Sequence, residues 1–307
     1  MTLAVGAGYA GGENHDGSFP VTIEHGLGET TVAVAPERIV ALGAPEADAL
    51  LALGLTPVGI PANPTAPDGV YPWWNDTGFD ASATTLLVSD VAGAFNLEQV
   101  AALEPDLIVA ATSAMDQAAY DLYREIAPTV PFLSGPFQDS WQEVTAMVGT
   151  TVGRPDRANA AIAAAEATIE QLRTSAPGLD GATYTFNVVP AATTVISVTD
   201  PDDVANRFFA ELGLGIAPAA ADLPRQPGTG AAISREQLGL LDADVVLMFY
   251  ANDDAAATLR EQPVFAATDG RVIELSAAQA VAVRAPSTLA IAWLLDELGP
   301  QLTDAVS

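Results

Sequence analysis

The sequence predicts an α/β fold in which two units, each built on a parallel sheet, flank one long helix. Short apolar strand segments alternate with helical segments through most of the 307 residues, and a chain of this length suits two compact units. One alanine-rich stretch at 154–175 interrupts the alternation and contains no helix breaker beyond its first turn. A segment of the first unit also resembles a segment of the second, so the alternation of helices and strands occurs twice.

The first unit begins with two strand-like runs in 21–34, and the Gly-Leu-Gly between them predicts a hairpin. Gly54 ends the first helix, and Pro131 marks an edge strand because proline lacks the N–H that a central strand donates. The remaining segments predict, in chain order, strand 38–43, helix 45–53, strand 55–60, loop 61–80, helix 96–103, strand 107–111, helix 115–126 and a strand near 130–134.

The long helix at 154–175 has proline in its first turn, where proline is favoured, and Pro177-Gly178 ends it. The second unit then predicts strands 182–189 and 194–198, helix 202–212, loop 215–230, helix 234–241, strand 244–250, helix 254–260, strand 271–275 and helix 286–298. These segments divide the chain into a tail at 1–20, an N-terminal lobe at 21–153, a linker helix at 154–177 and a C-terminal lobe at 178–307.

The internal repeat pairs residues 97–112, LEQVAALEPDLIVAAT, with residues 235–250, REQLGLLDADVVLMFY. Most of the aligned positions are apolar in both segments. The identical pairs are Glu98/Glu236, Gln99/Gln237, Leu103/Leu241 and Asp106/Asp244. A glutamate in the first turn of a helix is also favoured by the helix dipole, so the repeat alone leaves the role of Glu98 and Glu236 open.

The charge balance excludes some functions, since 11 arginines and no lysine face 39 acidic residues, for a net charge of −28. Nucleic acid is not an expected partner, because phosphate contacts need clustered cations. The absence of cysteine excludes thiol catalysis, and two histidines do not support a His-rich metal site. We find no nucleophile elbow and no P-loop, so no catalytic set emerges, although chemistry by carboxylates alone stays open.

The N-terminal tail has the character of a signal remnant. Residues 2–10 are small and apolar, like the end of a signal-peptide core, but no basic segment precedes them. Residues 13–18 are polar, like a tether, and Gly11 and Gly12 stand where a lipid-anchored protein would carry cysteine. We therefore expect an extracytoplasmic protein whose N-terminus is a candidate tether, without support for lipidation.

Four motifs carry a resemblance to a known family. APERIVALG, EADALLALGLTPVGI and NLEQVAALEPDLIVA follow the hairpin in this order, and ISREQLGLLDADVVLM lies in the second half. Together they resemble the iron-siderophore and cobalamin class of solute-binding proteins of ABC importers, over about 25–300. The resemblance implies two Rossmann-like lobes joined by a single long rigid helix, with the ligand in a cleft between them. It implies a binding protein rather than an enzyme.

The same resemblance implies the partners. A glutamate on each lobe, here Glu98 and Glu236, would meet arginines of the permease dimer in the membrane. We expect a monomer that captures a ferric siderophore, with the iron carried inside the ligand and no cofactor of its own. The acidic field favours a hydroxamate complex over a trianionic catecholate. Cobalamin or haem as ligand, or an enzyme on the same fold, remain the alternatives.

Aromatic residues are the first candidates for ligand contact. Tyr71, Trp73 and Trp74 lie in a Pro- and Gly-rich loop and offer a large contact area to an organic chelate. In the alternative interpretation these rings anchor the loop to the core. Tyr250 ends a predicted strand at its carboxyl end, where α/β folds place ligands.

Arginines are the second candidates, because they donate to the oxygens around a metal chelate. Arg284 lies in VRAPST before the last helix, where the resemblance implies a loop facing the cleft, and its alternative role is a surface salt bridge. Arg207 in NRFFAELG and Arg225 in the long loop are weaker candidates. His25 is interpreted as a structural residue of the hairpin.

Overall fold

The computed structural model describes residues 18–75, 77–90, 93–191, 194–224, 230–261 and 272–307. Most of the predicted tail and the candidate Arg225 lie outside the described residues. Within them, no helix combines the length and the apolar character that a membrane span requires.

The N-terminal lobe contains a parallel five-stranded sheet with strand order β5-β4-β3-β6-β7. Its strands are short and largely buried, as in parallel sheets covered on both faces. An antiparallel hairpin of β1 and β2 precedes the sheet and contacts β7. The strands are β1 Val21–His25, β2 Gly28–Val32, β3 Ile39–Ala41, β4 Gly59–Pro61, β5 Thr85–Leu87, β6 Leu107–Ala110 and β7 Thr129–Pro131.

The helices of this lobe are α1 Ala44–Ala52, α2 Leu97–Ala101, α3 Gln117–Tyr123 and α4 Trp141–Thr151, with a 3₁₀ turn at Pro72–Trp74. Neither α4 nor β5 was predicted from the sequence. A signal for α4 is present, because Ser140 and Glu143 form a reciprocal capping box at its start.

The linker helix α5, Pro155–Ser175, confirms the predicted long helix and begins at the expected proline. Arg154 and Arg157 join its start to the end of α1. Their guanidinium groups donate to the carbonyl of Leu53 at 2.7 and 3.2 Å. The linker is therefore fixed to the N-terminal lobe by hydrogen bonds to a helix C-terminus.

The C-terminal lobe contains a six-stranded sheet with order β11-β9-β8-β12-β13, and β10 pairs with β8. This sheet is mixed, which corrects the prediction of two parallel sheets: β9 runs antiparallel to β8, and β11 to β9. Only residues 192–193 separate β8 from β9, whereas a parallel pair needs a long crossover. The strands are β8 Thr183–Ala191, β9 Thr194–Ser197, β10 Gly215–Ile216, β11 Ala231–Ile233, β12 Val245–Tyr250 and β13 Val272–Glu274.

The helices of this lobe are α6 Val204–Glu211, α7 Pro218–Ala221, α8 Asp253–Arg260, α9 Ala277–Arg284 and α10 Thr288–Ala305, with a 3₁₀ segment at Arg235–Leu241. The prediction at 286–298 was too short, since α10 continues past Pro300 and a separate α9 precedes it. The predicted loop at 215–230 contains β10 and α7.

The internal repeat corresponds to equivalent structure in the two lobes. Asp106 precedes β6 and accepts the backbone N–H groups of Glu37 and Arg38 at 2.8 and 2.9 Å. Asp244 precedes β12 and accepts the N–H and hydroxyl of Thr183 at 2.8 and 2.7 Å. Each aspartate therefore fixes the start of the neighbouring strand, β3 or β8, so the shared Asp has a structural explanation.

The two lobes share part of one hydrophobic core. Helix α10 packs against α1 and α5 as well as against α9. A single buried cluster includes Leu50 and Ile169 together with Phe208 and Leu294. Separation of the lobes along this side would expose apolar surface, which costs about 25 cal/mol per Å².

Candidate functional site

A pocket of about 300 Å³ lies at the carboxyl edge of the N-terminal sheet. Leu42 follows β3, Phe95 lies after β5, and Thr112 lies two residues after the end of β6. Tyr123 of α3 and Phe137, in the segment after β7, complete the wall. Open α/β sheets bind ligands at this edge, so we take this pocket as the core of the site.

The lining is mainly apolar. It combines aromatic rings, Met115 and alanines with the hydroxyls of Ser89, Thr112 and Ser113. Among the described residues that line the pocket, none is charged. The pocket is therefore suited to a ligand with a neutral, partly apolar surface that presents a few hydrogen-bonding groups.

Thr112 is positioned by a buried carboxylate, Glu46, in the first turn of α1. Its N–H donates to one carboxylate oxygen at 2.8 Å and its hydroxyl donates to the other at 2.7 Å. Burial raises the pKa of Glu46, and the bonds from Thr112 oppose that rise. A side chain at Gly43 would clash with both partners, so glycine there permits their close approach.

Phe137 is the most unusual residue of the pocket wall. Its side chain is 56% exposed and its backbone has φ of +59°, in the left-handed region that bulky residues avoid. Asp139, which is buried, accepts the N–H groups of Leu133 and Ser134, the latter at 2.9 Å. A strained residue held by a braced loop at a pocket is a feature of functional sites.

Tyr250 lies at the carboxyl end of β12, as predicted, and is partly buried. The Arg260 guanidinium lies 5.7 Å from its ring centroid and pairs with Glu274, with 2.7 Å between Nε and Oε1. Burial, together with the charge of Glu274, raises the pKa of Tyr250 to about 12. The phenol therefore remains neutral and available for hydrogen bonding. Contact of Tyr250 with ligand stays a prediction.

The candidate arginines are engaged within the protein. Arg284 pairs with Asp203 at 3.0 and 3.1 Å, which is the salt bridge considered as its alternative role. Arg207 donates to the backbone carbonyl of Gln138 in the N-terminal lobe. Every arginine whose side-chain contacts the structure describes has such a partner: Arg38, Arg124, Arg154, Arg157, Arg173, Arg207, Arg260 and Arg284.

The aromatic loop is placed elsewhere. Tyr71, Trp73 and Trp74 are 4%, 6% and 0% exposed, in the core between α1 and α10. Trp73 Nε1 donates to Asp48 at 2.8 Å, and Trp74 Nε1 donates to the second oxygen of the same carboxylate. Trp73 also packs on Trp293 of α10, at 5.4 Å between ring centroids. The structure therefore supports the alternative, in which these rings anchor the loop, and gives no support to ligand contact.

Asp48 accepts the hydrogen bonds that hold the aromatic loop in the core. It is fully buried and also accepts a hydrogen bond from the hydroxyl of Ser287, which caps α10. Burial raises the pKa of Asp48 to about 7, although the three donors favour the ionised form.

Glu98 and Glu236 occupy equivalent exposed positions. Glu98 lies in the first turn of α2, whose N-cap Asn96 accepts the N–H of Gln99 at 3.1 Å. Glu236 lies in the first turn of the 3₁₀ segment that follows Ser234. Both carboxylates thus lie at the surface of their lobes, one on each.

His25 has a structural role in this geometry. Leu27 N–H donates to Nδ1 at 3.2 Å, so the opposite nitrogen, Nε2, carries the proton and lies 2.9 Å from the Thr30 hydroxyl. Burial lowers the pKa of His25. Among the described residues, no group of three or more His, Asp or Glu side chains is arranged to bind a metal.

Most residues of the pocket were not predicted from the sequence. Small residues such as Ser89 and Ala114 have no distinctive pattern, and only their position after a strand points to the site. Phe137 carried the clearest signal, since an aromatic residue in the Gly-Pro-Phe segment after a strand is a candidate for a cleft wall.

A protein-family model described as periplasmic binding protein matches residues 39–278. A probable siderophore-binding lipoprotein of Bacillus subtilis strain 168 is 26% identical over 247 residues, which cover 76% of this chain and 70% of that protein. A periplasmic solute-binding protein from Mycobacterium smegmatis has a similar structure, with a TM-score of 0.79, 26% identity, and coverage of 94% of this chain and 99% of that one.

The Streptococcus pneumoniae TIGR4 protein PiaA, solved in complex with ferrichrome, is similar with a TM-score of 0.77 and 23% identity. The match covers 93% of this chain and 98% of PiaA. The similar proteins are binding proteins, which confirms the prediction of a two-lobed binding protein and not an enzyme. Because the family model spans well over half of the sequence, this chain belongs to the periplasmic binding protein family.

Proposed function

We propose that this protein is the extracytoplasmic solute-binding component of an ABC importer, and that its ligand is a neutral or cationic ferric hydroxamate siderophore. The observation that carries the proposal is the pocket at the carboxyl edge of the N-terminal sheet, which has no charged residue among its described lining. In such a complex the siderophore supplies the iron ligands, so the protein binds only the organic outer surface.

The chemistry of the wall supports this ligand class. Tyr123 and Phe137 offer apolar contact to the carbon skeleton, and the Ser89 and Ser113 hydroxyls can donate to hydroxamate or amide oxygens. A trianionic catecholate complex would require free cations near the pocket. The arginines with described contacts are engaged elsewhere, and the net charge of −28 opposes a polyanion.

The comparisons are consistent with a siderophore. The B. subtilis relative is named a probable siderophore-binding lipoprotein, and ferrichrome, the ligand in the PiaA structure, is a ferric hydroxamate. Ferrichrome is therefore the natural first probe.

Delivery would use Glu98 and Glu236. Their exposure on the two lobes suits ion pairs with arginines of two permease subunits. The chain would act as a monomer, and its N-terminal segment would be a signal remnant or a tether.

The test is a titration followed by tryptophan fluorescence and calorimetry. The probes are ferrichrome, iron-free ferrichrome, a ferric tris-catecholate, cobalamin and haem. We expect ferrichrome to bind most tightly, and Phe137→Ala to weaken its binding without loss of folding.

Tighter binding of the tris-catecholate would overturn the hydroxamate assignment, and tighter binding of cobalamin or haem would assign the protein to another ligand class. Mass spectrometry of the same mixtures should show unchanged ligand, whereas a new product would reveal an enzyme.

A further inference from the structure

One loop of the N-terminal lobe contacts both the pocket and the C-terminal lobe. Within it, Phe137 lines the pocket, while the carbonyl of the next residue, Gln138, accepts a hydrogen bond from Arg207 of α6. Adjacent residues therefore face the predicted ligand and the opposite lobe.

Hydrogen bonds within the loop hold its residues together. Gln138 N–H closes a turn on the carbonyl of Gly135 at 3.1 Å, and the buried Asp139 holds the amides at the start of the loop. The end of the Gln138 side chain lies against the Cα of Gly135. A displacement of Phe137 would consequently carry Gln138 with it.

The contact to the C-terminal lobe continues through the start of α4. Glu211, one turn after Arg207 on α6, accepts hydrogen bonds from Trp141 Nε1 and Gln142 Nε2, both at 3.2 Å. Helix α6 thus holds residues 138–142 at two points one helical turn apart. We call this group of cross-lobe hydrogen bonds the α6 contact.

The α6 contact is incompletely satisfied. Arg207 Nε and Gln142 Oε1 are buried and make no hydrogen bond to the described residues. A buried polar atom without a hydrogen-bond partner is unfavourable. The hydrogen bonds between α6 and residues 138–142 are therefore not fully optimised in the lobe arrangement that the structure describes.

We propose that the loop 134–140 couples occupation of the pocket to the relative position of the lobes, and that Arg207 is a positioning residue that receives this signal and does not contact ligand. The inference rests on the proposed function, since it assumes that the pocket holds the transported ligand.

The test measures the distance between the lobes. The chain has no cysteine, so Glu125→Cys and Ala257→Cys, at exposed positions on the two lobes, provide a specific pair of spin labels. Double electron–electron resonance then gives the distance distribution. Arg207→Met keeps a side chain of similar length but removes the hydrogen-bond donor, and Arg207→Lys restores a donor. Phe137→Gly removes the ring and relieves the positive φ. Arg173→Met, at a surface ion pair, and Val34→Gly, at an exposed residue just after β2, are the controls.

In the free protein we expect Arg207→Met and Phe137→Gly each to broaden the distribution of distances between the two labels. The double variant should give a distribution no broader than that of either single variant. Arg207→Lys should restore the distribution of the parent protein. Additive broadening, or broadening no greater than in the controls, would overturn the coupling whatever the ligand is.

With ferrichrome, the parent distribution should shift to a new distance. Arg207→Met should lose this shift while its Kd for ferrichrome changes less than about threefold. A larger loss of affinity, unrescued by lysine, would make Arg207 a ligand contact. If the parent protein does not bind ferrichrome, the proposed ligand is wrong. The coupling is then decided by the distance distributions of the ligand-free variants alone.

Discussion

The hydroxyl of Ser287 donates a hydrogen bond to the carboxylate of Asp48, 239 residues earlier in the chain. This bond joins the N-cap of α10 to the middle of α1, and the indoles of Trp73 and Trp74 donate to the same carboxylate. Because the group is buried and belongs to both lobes, it is the polar centre of the core that the lobes share.

Replacement of this carboxylate should destabilise the protein in a pH-dependent way. Asparagine offers a single acceptor oxygen to three donors, so Asp48→Asn should leave buried donors unpaired at about 1–3 kcal/mol each. The pKa of Asp48 is raised from 3.8 to about 7 in the folded protein. Its contribution to stability is therefore present below about pH 4 and is lost as pH rises towards and through 7.

The free energies of unfolding of parent and Asp48→Asn, from urea titrations, should consequently differ more at pH 5 than at pH 8. Asp296→Asn, at an exposed position on α10, is the control and should show no such dependence. Equal differences at the two pH values would contradict the raised pKa.

His25 should give the opposite pH dependence. Its pKa is lowered from 6.5 by burial, so the folded protein resists a proton that the unfolded chain accepts. Stability from the neutral ring is present above about pH 6.5 and is lost as pH falls through the lowered pKa. The difference in unfolding free energy between parent and His25→Gln should therefore be larger at pH 7.5 than at pH 5. A difference that grows towards acid would show that the histidine is charged when folded.

The aromatic loop and the pocket wall should respond differently to truncation. Trp74 is fully buried, so Trp74→Ala should lower the unfolding free energy by about 3–5 kcal/mol. The ferrichrome affinity of the fraction that remains folded should be nearly unchanged. Phe137→Ala, at an exposed ring, should do the reverse, with weaker binding and an unfolding transition close to that of the parent. Loss of affinity in Trp74→Ala, measured on folded protein, would return that loop to the ligand site.

The two surface glutamates should matter for transport alone. Glu98→Ala combined with Glu236→Ala should leave ligand affinity and stability nearly unchanged, because exposed ion pairs contribute about 0–1 kcal/mol. Permease arginines would lose their counter-charges, so uptake into proteoliposomes carrying the cognate permease should fall to a small fraction of the parent rate. The control replaces Glu125 and Glu297, which are exposed elsewhere on the two lobes. Normal uptake by the first double variant would remove the docking role.

Sequence reasoning succeeded where the signal was local. The proline at the start of α5, its alanine-rich body and the Pro-Gly after it identify the linker without any tertiary information. The strands predicted at 107–111 and 244–250 correspond to β6 and β12, and an aspartate that fixes a neighbouring strand occupies the same place before each of them.

Sequence reasoning failed where burial depends on distant partners. Trp73 is buried because its indole donates to Asp48 and packs on Trp293, and neither residue is close to it in sequence. A Pro- and Gly-rich loop with aromatic residues has the same local pattern whether it packs inward or faces a ligand. The antiparallel β9 was missed for a different reason, because the predicted strands 182–189 and 194–198 are separated by Pro-Ala-Ala-Thr, which contains no Asn-Gly or Asp-Gly turn signal.

The packing of α10 across both lobes has a consequence for the order in which the protein can fold during synthesis. The N-terminal lobe is complete in sequence by residue 153, yet part of its apolar surface is covered by α10, which begins at Thr288. The first lobe therefore leaves the ribosome with an uncovered face, and its native core closes only after the last helix has been made. Folding should be a late event that involves the whole chain, and removal of the last 20 or so residues should impair the lobe farthest from them in sequence.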